Sequence, residues 1–126
     1  MLNIIIVGIG GFVGAIARYG VSSFFAGSSI GSFPTGTFLA NILGCLLIGA
    51  AVGLIEGSEI ASENLRLLVI TGLLGSFTTF STFGLEVFSL LETGYWKMGV
   101  SYLGLSFLAG LLAVWSGRSI ISTFAG

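Results

Sequence analysis

The chain has 126 residues and a net charge of −1, with 55% hydrophobic and 7% charged residues and no histidine. Soluble domains carry about 25% charged residues, so this chain lacks the polar surface water demands and belongs in a membrane. It has no basic patch for nucleic acid, and with no histidine and few scattered carboxylates most metal-site and nucleophilic-triad schemes lose their raw material. The lone Cys45 excludes an intrachain disulfide and reads as a small packing residue.

The length predicts a single domain, 1–126, built of four membrane spans. Span one covers about 2–25. The N-terminus lacks a basic region, so no cleaved signal peptide is expected. Gly10 and Gly14 form a pair of small residues one turn apart, which lets another helix backbone come close. Gly27-Ser28-Ser29-Ile30-Gly31-Ser32 reads as a turn-rich loop, and Pro34 suits the first turn of the next helix. Span two covers about 34–55, with a small-residue stripe of Gly36, Ala40, Gly44 and Cys45, and Asn41 beside it. Glu56-Gly57-Ser58-Glu59 ends it, and Ser62 is placed to cap span three, with Glu63 in its first turn.

Span three covers about 63–92. A straight helix of that length reaches about 45 Å at 1.5 Å per residue, against a hydrocarbon core of about 30 Å. Its centre, Gly72-Leu73-Leu74-Gly75-Ser76-Phe77-Thr78-Thr79-Phe80-Ser81-Thr82-Phe83-Gly84, is crowded with small, hydroxyl and phenyl side chains. Irregular backbone is tolerated in a bilayer only where protein buries it or it lines a wet cavity. A break is therefore predicted around Gly75-Ser76-Phe77-Thr78. Span four covers about 95–121, entered through the aromatic anchors Tyr95 and Trp96 and left past Trp115 and Arg118. No internal repeat is visible.

Four spans place Arg66 and Arg118 at one membrane face and Arg18 and Lys97 at the other. That balance gives no preferred orientation and suggests insertion both ways, hence two oppositely oriented copies related by an in-plane two-fold axis.

Several uncharged polar residues lie within the spans. Asn41 reads either as interhelical glue or as a functional amide. Phe77, Phe80 and Phe83 form an aromatic stripe that reads as packing; alternatively, their positive ring edges face an anion. Thr37, Asn41, Thr79, Ser81, Thr82, Tyr102 and Ser106 supply uncharged hydrogen-bond donors, which suit a conduit better than a trap. Gly75 and Thr78 flank the break, which either exposes carbonyl oxygens to a monovalent cation or is a glycine kink satisfied by a neighbouring helix or by Ser76 itself. Arg18 reads as a vestibule charge or as a snorkelling side chain, and Glu86 as an interfacial carboxylate or a pore mouth.

These residues resemble the Fluc (CrcB-type) fluoride channels over nearly the full length. The resemblance is carried by Gly10-Gly11-Phe12-Val13-Gly14-Ala15-Ile16-Ala17-Arg18-Tyr19, by Gly36-Thr37-Phe38-Leu39-Ala40-Asn41-Ile42-Leu43-Gly44 and, most specifically, by Gly72 to Phe83. It implies an all-α, dual-topology antiparallel homodimer in the inner (plasma) membrane, passively exporting fluoride through two pores, and no enzymatic activity. It implies that Phe80 and Phe83 are pore phenylalanines, Asn41 a pore amide, and Thr37, Ser81 and Thr82 a polar track, with Tyr102 and Ser106 on the fourth span. It implies a structural sodium ion held at the dimer axis by backbone carbonyls of Gly75 and Thr78. Arg18 and Glu86 match family positions too. Two rivals are a small multidrug-type antiporter, which needs a carboxylate that span one lacks, and a non-transporting membrane scaffold.

Overall fold

The computed structural model describes residues 1–27, 31–58 and 62–125. Ser28, Ser29 and Ile30 of the first predicted loop, and Glu59 of the second, lie outside the described residues. Four helical stretches, Leu2–Ala26, Thr35–Glu56, Glu63–Glu92 and Trp96–Phe124, are long and apolar enough to cross a membrane. Among the described residues no strand is present. The fold is the all-helical, multi-pass arrangement that the composition demands.

Helix α1 (Leu2–Ala26) and helix α2 (Thr35–Glu56) are continuous despite their glycines. Pro34 precedes α2 rather than opening it, and its carbonyl accepts the first helical bond, from Phe38 N at 3.1 Å. The third span is assembled from pieces. Ser62 accepts a hydrogen bond from Leu65 N at 3.3 Å and so caps α3 (Glu63–Arg66), as its position before Glu63 predicts. The chain then widens into a π-helical stretch, Leu67–Leu74, which the sequence reading did not foresee. A short α4 (Gly75–Phe77) follows, then extended backbone at Thr78 (φ −83°, ψ 155°), and α5 (Ser81–Glu92) resumes the span. The break thus falls where the glycines and threonines place it. Gly94, at φ +87°, makes the tight turn into α6 (Trp96–Ala125). Helix α6 outruns the expected end near Ile121, and Ser122 and Thr123 both donate to Ser119 O at 2.9 Å in its last turns.

The helices lock through glycines. On α1, a Cβ at Gly10 or Gly14 would run into the backbone of Leu68 or Leu73, so α1 lies directly on the π-helical stretch. Helix α2 packs most extensively on α6. There Gly49 abuts Val114 O and Gly117 abuts Leu46 O. The small-residue stripe of α2 is buried at Gly36, Ala40 and Gly44. Gly44 leaves room for Thr78 and Phe77, so the break sits against it. The true core is thin. Phe83, Leu90 and Tyr102 form its main cluster, with Phe33, Phe38, Val87 and Met98 packed around it. Large apolar side chains otherwise face outward along every span, as lipid or a second copy requires.

Candidate functional site

The site grows from the break. A β-branched pair, Thr78-Thr79, follows Gly75, and both threonines use their hydroxyls locally. Thr78 donates Oγ1–H to Leu74 O at 3.2 Å, and Thr78 N–H reaches the same carbonyl at 3.2 Å. Thr79 Oγ1 accepts from Thr82 N at 3.3 Å and so caps the start of α5. Side chains from two neighbouring helices then grip the irregular backbone. Asn41 of α2 accepts from Thr79 N at 2.7 Å through Oδ1 and donates from Nδ2 to Thr79 O at 3.0 Å. Arg18 of α1 donates Nε–H to Ser76 O at 3.2 Å.

These contacts divert backbone donors. In a continuous helix Thr79 N–H serves Gly75 O and Thr82 N–H serves Thr78 O. Here the first goes to Asn41 and the second to the Thr79 hydroxyl. The two carbonyls singled out in the sequence therefore lose their helical donors, while Leu74, Ser76 and Thr79 carbonyls have partners. Uncharged oxygens at the end of a half-helix, where the macrodipole is negative, form a set that suits a hard monovalent cation.

Beside the break lies an open cleft of about 280 Å³, lined among others by Asn41, Thr79, Phe80, Phe83, Ser106 and Phe107. Three helix faces converge there. Phe80 and Phe83 are three residues apart at the start of α5, Asn41 comes from α2 and Ser106 from α6. The rings of Phe80 and Phe83 are tilted at 49° with centroids 5.9 Å apart. Phe83 is 5% exposed and Phe80 76%, so one ring is seated in the core and the other is bare on the single chain. Phe83 is fixed edge-to-face by Tyr102 at 5.0 Å and Phe107 at 6.3 Å. Ser106 Oγ is buried and, among the described residues, has no hydrogen-bond partner. A buried hydroxyl without a partner is unfavourable, and such exceptions ask for a functional reason. The cleft also borders the amino end of α5, where the macrodipole is positive and favours an anion.

The remaining predicted residues divide. Thr37 and Tyr102 do not line this cleft. Both hydroxyls donate to Glu86, Thr37 to Oε1 at 2.7 Å and Tyr102 to Oε2 at 2.8 Å. Each hydroxyl has one hydrogen, and in this arrangement both hydrogens go to the carboxylate. Tyr102 is fully enclosed, and its ring also meets Phe33 edge-to-face at 5.2 Å. Glu86 in turn lines a second opening of about 390 Å³, with Pro34, Ser89, Thr93 and Tyr95. Glu86 is thus a shared acceptor one turn beyond Phe83, bordering a pocket towards the Tyr95 end. Ser81 is exposed and Thr82 half-buried, and neither lines either opening. The residue pairs 37/41, 82/86 and 102/106 are each four apart within one helix, which is the signal in the sequence for shared faces. No local signal matched the faces to one another, so Asn41 on Thr79 and Glu86 between Thr37 and Tyr102 escaped the sequence reading.

Arg18 reaches the backbone of the break. Arg118 is paired to Glu56 at 2.7 Å.

Comparison with known proteins agrees with these features. A family model described as CrcB-like protein, Camphor Resistance (CrcB), matches residues 5–118. A Chloroflexus aurantiacus protein named fluoride-specific ion channel FluC is 44% identical over 126 residues, covering 100% of both chains. Proteins of the same name from Nitratidesulfovibrio vulgaris and Clostridium perfringens are each 42% identical, over 93% and 95% of this chain and 94% of their own. With its broken third span, its phenyl-lined cleft and a match to the family along nearly its whole length, the chain belongs to the CrcB family.

Proposed function

We propose that this chain is a passive, fluoride-selective channel of the plasma membrane, lowering cytoplasmic fluoride. The observation that carries this reading is the cleft beside the break. It gathers the orphaned Ser106 hydroxyl, the Asn41 amide, the Phe80 and Phe83 rings and the positive end of α5 around one space with no charged side chain in its lining. An anion there meets donors without a fixed cation that would hold it. Asn41 uses one Nδ2 hydrogen on Thr79 O, and its second hydrogen remains for the ion. Ring edges of Phe80 and Phe83 favour an anion over a cation. Fluoride moves by exchanging hydration waters for these groups in turn. Further along, Thr37 and Tyr102 contribute donors only when Glu86 releases them.

The working unit is a homodimer of two oppositely oriented copies with two antiparallel pores. The thin core, the bare Phe80 ring and the outward-facing apolar side chains support an incomplete single chain. The diverted donors at Gly75 and Thr78 support a sodium ion at the dimer axis, held by these carbonyls from both copies. Bound there, sodium supplies positive charge that neutralises the carbonyl ends of the two half-helices.

The test is fluoride efflux from liposomes holding the purified protein, read with a fluoride electrode. Rapid efflux down the fluoride gradient alone is expected, with chloride efflux far slower. Efflux that needs a proton or sodium gradient, or no fluoride efflux at all, would refute a channel.

A further inference from the structure

We infer that Arg18 is a positioning residue for the cation seat, holding the Ser76 carbonyl out of competition with those of Gly75 and Thr78. The inference rests on the sodium reading above.

Arg18 continues a packing seam. Gly10, Gly14 and Arg18 are four residues apart and share one face of α1. The two glycines bring that face onto the backbone of Leu68 and Leu73 with no room for a side chain. One turn later the seam changes from the smallest residue to one of the longest, and the side chain is half-buried. A cation within a span pairs with a carboxylate or with backbone carbonyls. Among the described residues the one ion pair joins Arg118 to Glu56, so no carboxylate neutralises Arg18. Its contact is the backbone of the break, through Nε at 3.2 Å from Ser76 O.

Ser76 O lies between the two proposed ligands in the chain. The three carbonyls of Gly75, Ser76 and Thr78 crowd the negative end of one half-helix. Without a fixed partner, Ser76 O competes with Gly75 O and Thr78 O for a cation, and the peptides joining them are free to rotate. The guanidinium removes that freedom. Its planar shape fixes the direction of Nε–H. Asn41 performs the matching task on the other side, taking Thr79 O and Thr79 N–H. Between them, one residue from α1 and one from α2 take Ser76 O and Thr79 O, and among the described residues neither side chain donates to Gly75 O or Thr78 O. Arg18 therefore sets how well the seat binds sodium, beyond holding α1 against the third span.

The measurement is thermal dissociation of the detergent-solubilised full-length dimer as sodium replaces N-methylglucamine at constant ionic strength. Wild type should be stabilised saturably by sodium. Arg18→Met should raise the half-saturating sodium concentration at least tenfold. Arg18→Lys, which keeps the charge but not the planar donor, should raise it by about threefold, and it decides the matter should Arg18→Met not fold. Half-saturation unchanged from wild type in the folded variants, with stability lowered equally at every sodium concentration, would reduce Arg18 to packing and overturn the inference. A wild type insensitive to sodium would instead overturn the sodium reading itself, and the inference with it.

Discussion

Replacing Asn41 by alanine separates two roles that the side chain holds at once. The structure gives it two hydrogen bonds to the Thr79 backbone, at 2.7 Å and 3.0 Å, across the contact between α2 and the break. Interhelical hydrogen bonds in membranes average about 0.6 kcal/mol and reach about 1.7, because the unfolded reference also finds partners. Two bonds therefore predict a loss of about 1.2 to 3.4 kcal/mol. The upper half of that range is favoured, since alanine leaves both the N–H and the C=O of Thr79 without a partner in apolar surroundings. The assay is unfolding of the purified protein in mixed micelles, read alongside fluoride efflux from liposomes. Stability and flux should fall together in Asn41→Ala. Asn41→Asp should be worse than alanine for the break, since a carboxylate accepts from Thr79 N–H but sets a charged oxygen against Thr79 O. If Asn41→Ala lost flux while keeping wild-type stability, the amide would serve the ion alone, and its assignment as a clamp on the break would be wrong.

Three other outcomes follow from the same geometry. Gly14→Ala should destabilise by about 1 to 3 kcal/mol, because the added methyl meets Leu73 O, whereas Gly8→Ala, with nothing within 4 Å, should be neutral or mildly stabilising; paired unfolding curves check this. Ser106→Ala removes a buried hydroxyl that has no partner among the described residues, so stability should hold or rise while fluoride efflux falls; equal falls in both would mean that the hydroxyl is structural. Tyr102→Phe keeps the ring packing and deletes one hydrogen bond to the Glu86 carboxylate, which should lower stability by about 1.5 to 3 kcal/mol, and full stability in the unfolding assay would show that the bond adds nothing.

Local chemistry alone determined a great deal. Apolar runs of sufficient length specified the four spans, and Ser62 before Glu63 specified a helix start. Gly75 with Thr78-Thr79 specified the break, because glycine weakens a helix and threonine hydroxyls compete for its backbone groups. The small-residue stripe marked the close face of α2. Each of these is decided by neighbours within a turn or two, so it is written in the order of residues. The partners of the polar side chains are not. Asn41 meets Thr79 across 38 positions, Arg18 meets Ser76 across 58, and Thr37 meets Glu86 across 49. The π-helical stretch at Leu67–Leu74 likewise accompanies close packing on Gly10 and Gly14, a contact between separate spans. A polar group in an apolar span must find a partner, and the sequence states that need. Only the packing of one helix against another decides which partner is within reach.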